Sequence, residues 1–238
     1  MHDYLWDVLD KYGLPTRFVT TLRSLYATAT TTVMISGERS TDFRVTRGVR
    51  QGDPLSCLIF DLAIKPLAEM LHQSDLNGFK TPGLTSRQIV SMFADDTTIY
   101  LSEQDDVQVL YSILSTWCAA SGARFNISKT EILPIGSKDY RDSVIQSSKL
   151  QPGEAPLPQA AQVTRDGQAI HILGAWLGND TNDQAIWSQI IERIDARLGR
   201  WEKRHPMIEG RKIIVQWTIG VMTQYLTCTV THQTGLVQ

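Results

Sequence analysis

Hydrophobic positions change their period several times along the chain, and each change predicts an element. Tyr4, Leu5, Trp6, Leu9 and Tyr12 follow helical spacing that stops at Gly13, with Pro15 beyond. A second helix is predicted from Thr16 to about Tyr26, burying Phe18, Leu22 and Leu25. Thr30 to Ser36 is rich in Thr, Val and Ile and reads as a strand, with a partner near Phe43 to Val45 completing a hairpin. From Pro54 the pattern is helical again, with Leu55, Leu58, Ile59 and Leu62 on one face and a kink or break expected at Pro66. Gln88 to Ala94 and Thr97 to Leu101 are short apolar runs joined by Asp95-Asp96, the pattern of two strands with a two-residue acidic tip.

Glu103 to Ala120 carries Val107, Leu110, Tyr111, Leu114, Trp117 and Cys118, an amphipathic helix ended by Gly122. Arg124 to Ile135 reads as extended. Between Gly136 and Gln162, Ser, Gln and Pro replace large apolar residues, so a long loop or insertion is expected. A strand-like run, Gln168 to Gly174, precedes two helices. One stripes Trp187, Ile190, Ile191, Ile194, Leu198 and Trp201; the other begins near Glu209-Gly210 and runs through Ile213, Ile214 and Trp217. The order predicts an α+β fold whose sheet is mostly antiparallel and packed on helices, with a helical tail.

The bulk numbers add limits. The chain has 238 residues, 42% hydrophobic and 20% charged, enough for a real core. Net charge is -2, so a polyanion partner would have to meet locally concentrated positive charge. Cys57, Cys118 and Cys228 form no CxxC pair, which gives neither a disulfide framework nor a zinc ribbon. They suit a reducing, intracellular setting, with nucleus and cytoplasm both open. No apolar run is long enough to span a bilayer, and no membrane partner is expected.

Asp95-Asp96 is the chemical centre of the pattern. Adjacent carboxylates repel, and each favours protonation of the other unless a cation intervenes. Mg²⁺ takes hard oxygen ligands, typically one or two carboxylates plus water and substrate phosphates. Carboxylates on a rigid hairpin therefore suit phosphoryl transfer on two metal ions. An Asp pair is also an ordinary solvated turn, and only the strands closing in on both sides favour the site. A second stretch, Arg47-Gly48-Val49-Arg50-Gln51-Gly52-Asp53-Pro54-Leu55-Ser56, offers glycines for close backbone approach and arginines for phosphates. It also carries an amide able to address a base, and a helix start at Asp53-Pro54. By itself it equally fits a solvated Gly-rich turn.

Taken together the two stretches resemble motifs B and C of reverse transcriptases of the LINE (non-LTR retrotransposon) type. Leu5-Trp6-Asp7-Val8-Leu9 with Tyr12-Gly13-Leu14-Pro15 is similar to the helix after the family's motif A. Gly122 to Glu131 resembles motif D, and Ile172-Leu173-Gly174 with Leu177-Gly178 resembles the primer grip. Trp201, Gly210-Arg211 and Tyr225-Leu226 resemble the start of the thumb, so the likeness covers nearly the whole chain. It implies a polymerase palm over 1–135, a loop or insertion over 136–162, a primer-grip-like end over 163–180 and a thumb-like segment over 181–238.

It further implies that Asp95 ligates two Mg²⁺ ions, with Mn²⁺ as an alternative, and that Asp96 assists as ligand or support. Phe93 and Ala94 would lie under the primer terminus. Arg50, Gln51, Gly52 and Pro54 would serve nucleotide and template, and Lys129 the triphosphate. Leu173 and Gly174 would steady the primer. Partners are then an RNA template, a DNA primer and deoxynucleoside triphosphates. The tip is also expected within reach of Gln51-Gly52.

Two residues depart from the family: Cys57 where Pro is common, and Ile172 where Tyr is usual. The motif A strand with its Asp, the fingers and the endonuclease are expected in an N-terminal part of a parent polyprotein. These 238 residues are accordingly expected to be inactive by themselves. A non-catalytic remnant that binds primer–template weakly, or has no retained role, is the alternative. A metal-dependent phosphohydrolase lacks an accompanying nucleophile or histidine cluster. Arg193, Arg197, Arg200 and Arg204 follow helical spacing opposite the tryptophans and could track a phosphate backbone. With Glu192, Asp195 and Glu202 among them, a salt-bridged solvated face fits equally.

Overall fold

The computed structural model describes residues 2–49, 52–80, 83, 86–202 and 205–230, and contacts divide the chain into two units. The first contains Met1–Asn126 and Lys149–Leu157; the second contains Ile127–Ser148 and Pro158–Gln238. The split differs from the boundaries expected at 135, 162 and 180. The motif D-like Lys129 groups with the later helices, while part of the expected insertion returns to the first unit. Among the described residues the strands form six separate two-stranded pairs, five antiparallel and one parallel. The fold is α+β, with its mostly antiparallel pairing dispersed as hairpins.

In the first unit α1 (His2–Lys11) packs on α2 (Thr16–Ala27), α3 (Pro54–Gln73) and α4 (Val107–Ser121). Leu5, Trp6, Leu9, Val19, Leu22, Tyr26 and Ile59 form one apolar cluster. The buried stripe of α2 is Val19, Leu22 and Tyr26, not Phe18 and Leu25, which are exposed. The two sets differ by one position, a 100° rotation that Leu22 alone does not resolve. In α3, Leu58 is likewise exposed while Ile59 is buried. Asp53 caps this helix by accepting from the Leu55 N–H at 3.0 Å, with Pro54 at its first position.

Pro66 lies inside α3 without ending it. Proline removes the bond to the Leu62 carbonyl and crowds that turn. Neighbouring side chains meet the loosened stretch: Tyr4 Oη donates to the Ala63 carbonyl at 3.0 Å, and Trp117 Nε1 donates to Tyr4 Oη at 3.0 Å. Burial raises the Tyr4 phenol above its usual range, partly offset by the Trp117 bond.

Thr30 to Ser36 is broken in two. Thr30–Thr31 pairs with Phe43–Arg44, as expected, while Met34–Ile35 turns back on Glu38–Arg39 through Ser36-Gly37. A second cluster, Leu67, Leu71, Leu76, Ile89, Val90 and Leu110, lies between α3 and α4. Helix α4 begins at Val107, capped by Asp106, and not at Glu103. The preceding Asp105 is buried and accepts from Asn77 N, Asn77 Nδ2, Gly78 N and Ser102 N at 2.5–3.0 Å. One carboxylate thus takes up four donors that burial would otherwise strand.

Arg124 to Ile135, which passes into the second unit at Ile127, is not continuously extended: a 3₁₀ turn, Ile127–Lys129, precedes the strand Glu131–Ile132. That strand pairs in parallel with Gln162–Val163. The expected loop after Gly136 contains α5 (Lys138–Ser147), capped by Ser137 and burying Val144. A lone buried valine among polar residues leaves too weak a period to see. Helix α6 (Asp183–Glu202) buries Ile190 and Ile194 against Ala169, Trp176, Ile219 and Met222, whereas Ile191 and Trp201 are exposed. Beyond it α7 (Ile208–Val215) passes through a π turn, Gln216–Gly220, into α8 (Val221–Val230), and Trp217 is exposed. Among the described residues no helix is long and apolar enough to cross a membrane.

Candidate functional site

The acidic residues stand on a hairpin of Val90–Phe93 and Asp96–Ile99, in register Phe93↔Asp96, Met92↔Thr97, Ser91↔Thr98 and Val90↔Ile99. The turn is Ala94-Asp95, not Asp95-Asp96; Asp96 already belongs to the second strand. Ala94 has φ 52° and Asp95 does not share the sign, the pattern of a type II′ turn, which normally starts with glycine. Holding a Cβ in that region costs roughly 1–2 kcal/mol. The base bears the cost, because Ile89 and Val90 are buried and the Tyr100 N–H donates to the Ile89 carbonyl at 2.8 Å.

Beyond that root the tip is open. Phe93 is 66% exposed, and Ala94, Asp95 and Asp96 are exposed. Among the described residues neither carboxylate makes an ion pair, and no third His, Cys, Asp or Glu completes a cluster with them. Two unpaired, hard-oxygen donors on a rigid turn fit a Mg²⁺-like ion that draws its other ligands from elsewhere.

The Gly-rich stretch leads into α3. Gly48 has φ 75° and Gly52 φ 86°, conformations that a side chain would strain, so both glycines are needed for backbone reasons. Ser56 is buried and shares a hydrogen bond of 3.3 Å with Tyr26 Oη. Arg50 and Gln51 lie outside the described residues, and with them the expected approach of Gln51 to the acidic tip. Gly52 and Pro54 belong to the same unit as Asp95 and Asp96.

Lys129, Leu173 and Gly174 belong to the second unit. Lys129 ends the 3₁₀ turn and is exposed. Leu173 (φ 48°) and Gly174 (φ 87°) form the two-residue turn between Ile170–Ile172 and Ala175–Leu177. Positive φ at both positions marks type I′, and leucine at the first is again strained. The base of this hairpin is held by a group the sequence reading missed. Arg141 of α5 donates through Nε and Nη2 to Asp166 at 2.9 and 2.7 Å, and through Nη2 to Asp180 at 3.1 Å. The Arg141 hydrogen bonds, then its charge, hold Asp166 below the usual carboxylate range, while Asp166 raises Arg141. No sequence spacing announces such a trio; only the Asp-Gly at 166–167, a turn signal, points to the place.

On α6, Arg193, Arg197 and Arg200 are exposed and make no ion pair among the described residues, with Glu192 and Asp195 included. Arg204 lies outside the described residues.

The family described as reverse transcriptase (RNA-dependent DNA polymerase) matches residues 1–176, from α1 to the strand after Leu173-Gly174. The chain belongs to the reverse transcriptase family. The similarity continues to retrotransposon proteins. The chain is 27% identical to the Transposon TX1 uncharacterized 149 kDa protein of Xenopus laevis over 227 residues, 94% of this chain and 16% of that protein. It is also 27% identical to the retrovirus-related Pol polyprotein from type-2 retrotransposable element R2DM of Drosophila melanogaster, over 66% of this chain and 15% of the polyprotein. These retrotransposon relatives agree with the LINE-type resemblance of the motifs, and the chain spans about a sixth of their length. The longer match reaches past residue 176 into the helical segment.

Proposed function

We propose that this chain supplies the acidic hairpin of an RNA-templated DNA polymerase. The observation that carries the reading is the open Ala94-Asp95 turn, with two carboxylates that make no ion pair among the described residues, above a buried apolar base. In the reaction the primer 3′-oxygen forms a bond to the α-phosphorus of a deoxynucleoside triphosphate as the bond to pyrophosphate breaks. Divalent ions, Mg²⁺ in this reading, would stabilise the attacking and leaving oxygens when bound. Asp95 and Asp96 would hold them, and Phe93 and Ala94 offer a surface for the primer terminus. Gly52 and Pro54 would serve nucleotide and template, the role the family likeness also gives Arg50 and Gln51. Lys129 places a cation for the triphosphate, and Leu173-Gly174 contacts the primer.

Asp95 and Asp96 are the only carboxylates at this tip among the described residues, so the 238 residues alone are expected to extend a primer barely, with Mg²⁺ or Mn²⁺. In a longer polyprotein carrying these residues, Asp95→Asn is expected to abolish extension. Extension by that protein unaffected by Asp95→Asn would sink the reading. Phosphate contact by the exposed arginines of α6 has its own test. The chain should hold an RNA–DNA duplex weakly, with affinity falling steeply as salt rises. Replacing Arg193, Arg197 and Arg200 with Gln should flatten that dependence in fluorescence anisotropy; unchanged binding would remove the ridge from the site.

A further inference from the structure

The 170–177 hairpin is gripped at its root by parts of the chain that the family likeness leaves without a role. Just outside its strands the Gly167 N–H donates to the Asn179 carbonyl at 2.8 Å, so residues 166 and 180 flank the closed base. Arg141 takes both flanking carboxylates with one guanidinium, and its Nη1 donates to the Gly136 carbonyl at 2.7 Å. Side chains of Arg141 and Asp166 are 13% and 23% exposed, so the bidentate contact is largely shielded. Asn179 Nδ2 adds a bond to the Pro134 carbonyl at 2.7 Å. The base is tight as well: a Cβ on Gly178 would meet the Gln168 carbonyl oxygen at 2.2 Å. Trp176, on the far strand, packs on the Ile190–Ile194 cluster.

A strained turn keeps its conformation only where its surroundings over-determine it. A planar fork to a carboxylate fixes direction as well as distance, which an ammonium cannot do. We propose that Arg141 is a positioning residue for the Leu173-Gly174 turn, holding the primer-contacting hairpin at its root through Asp166 and Asp180. The assignment rests on reading that turn as the primer contact. It gives α5, in the stretch expected as an insertion, a part in the polymerase.

The test uses the whole 238-residue chain with Arg141→Gln, Asp166→Asn and Asp180→Asn. Hydrogen exchange is read at amides 170–177 and, as an internal control, at 90–99. Binding is read as the preference for an RNA–DNA duplex with a recessed primer 3′ end over a blunt duplex. Arg141→Gln and Asp166→Asn should speed exchange at 170–177 while leaving 90–99 unchanged, and should lower the preference about three- to tenfold. Asp180→Asn, whose carboxylate is 75% exposed, should do both more weakly and tests the idea even if the other variants fold poorly. Unchanged exchange at 170–177 would overturn the proposal. So would a wild-type preference that Arg141→Gln retains in full, and that result would leave the primer reading standing. No preference in the wild type would remove the primer reading itself, and this assignment with it.

Discussion

The 90–99 hairpin and the 170–177 hairpin share a plan: short antiparallel strands, a two-residue turn, and a non-glycine residue with positive φ at its first position. Their roots differ. The acidic hairpin grows out of Ile89 and Val90, both buried in an apolar cluster, and the charged groups at its root, Arg87 and Asp105, bond backbone and the Asn77 amide, with no ion pair among the described residues. The other rests one strand on an apolar cluster and ties its base with Arg141, Asp166 and Asp180. An acidic tip has to avoid a competing cation, and the nearby Arg87 is engaged by the His72, Ser74 and Leu76 carbonyls. A tip of Leu and Gly has no such conflict, so ions can fix its base.

The comparison predicts a graded set of effects. Largest is the loss of primer extension with Asp95→Asn in a longer polyprotein, expected to exceed about a thousandfold since two-metal chemistry depends on that charge. The same substitution should leave the melting temperature of this chain unchanged or slightly higher, because it relieves repulsion between neighbours. A marked drop in melting temperature would show Asp95 to be structural. Next comes the apolar root: Ile89→Ala should destabilise the first unit by about 2–5 kcal/mol in urea unfolding. Arg141→Gln should cost less, since a glutamine keeps part of the hydrogen bonding and Asp180 is exposed to water, and a larger loss than Ile89→Ala would reverse the comparison.

Smaller still are the turns. Ala94→Gly should stabilise by about 0.5–1 kcal/mol, by removing a Cβ from a left-handed conformation. Leu173→Gly should do the same in the second hairpin, where lost packing is slight because Leu173 is 46% exposed. Destabilisation by either would mean that the side chain contributes more than its strain costs. The smallest effect is in acid. Asp166 has its carboxyl lowered in the fold, so its pairing contributes fully above the ordinary value of 3.8 and is lost as pH falls through the lower folded value. Thermal melts of wild type and Asp166→Asn should converge there, while the acidic hairpin keeps its exchange protection. Curves that stay parallel would dismiss the ion pair as a brace.

Sequence patterns located most elements that bury a stripe of large side chains, such as α1, α4 and α6. They failed where the choice lay between adjacent apolar positions: Phe18 or Val19, Leu58 or Ile59, Ile190 or Ile191. Periodicity fixes a helix but tolerates a rotation of one residue, and only the packing partner decides. The acidic pair and the glycines were legible because turns and φ constraints are local. Asp105 and Arg141 were not, since Asn77 lies 28 residues from Asp105 and Asp166 and Asp180 lie 25 and 39 from Arg141, and neither residue type carries a mark of burial.

One connection bears on how the polypeptide is made. The first unit is finished only by Lys149–Leu157, where Leu157 is buried and the Tyr111 hydroxyl reaches the Pro156 carbonyl at 3.5 Å. On a ribosome moving at 5–20 residues per second, Asn126 emerges about two to six seconds before that closing stretch. Throughout that interval the nascent first unit presents an unsealed flank. The stretch made meanwhile, Ile127–Ser148, belongs to the second unit, whose remaining residues follow only after Leu157. No single cleavage separates the two units intact, because the chain crosses between them three times. Translation order alone therefore makes the two units interdependent during synthesis.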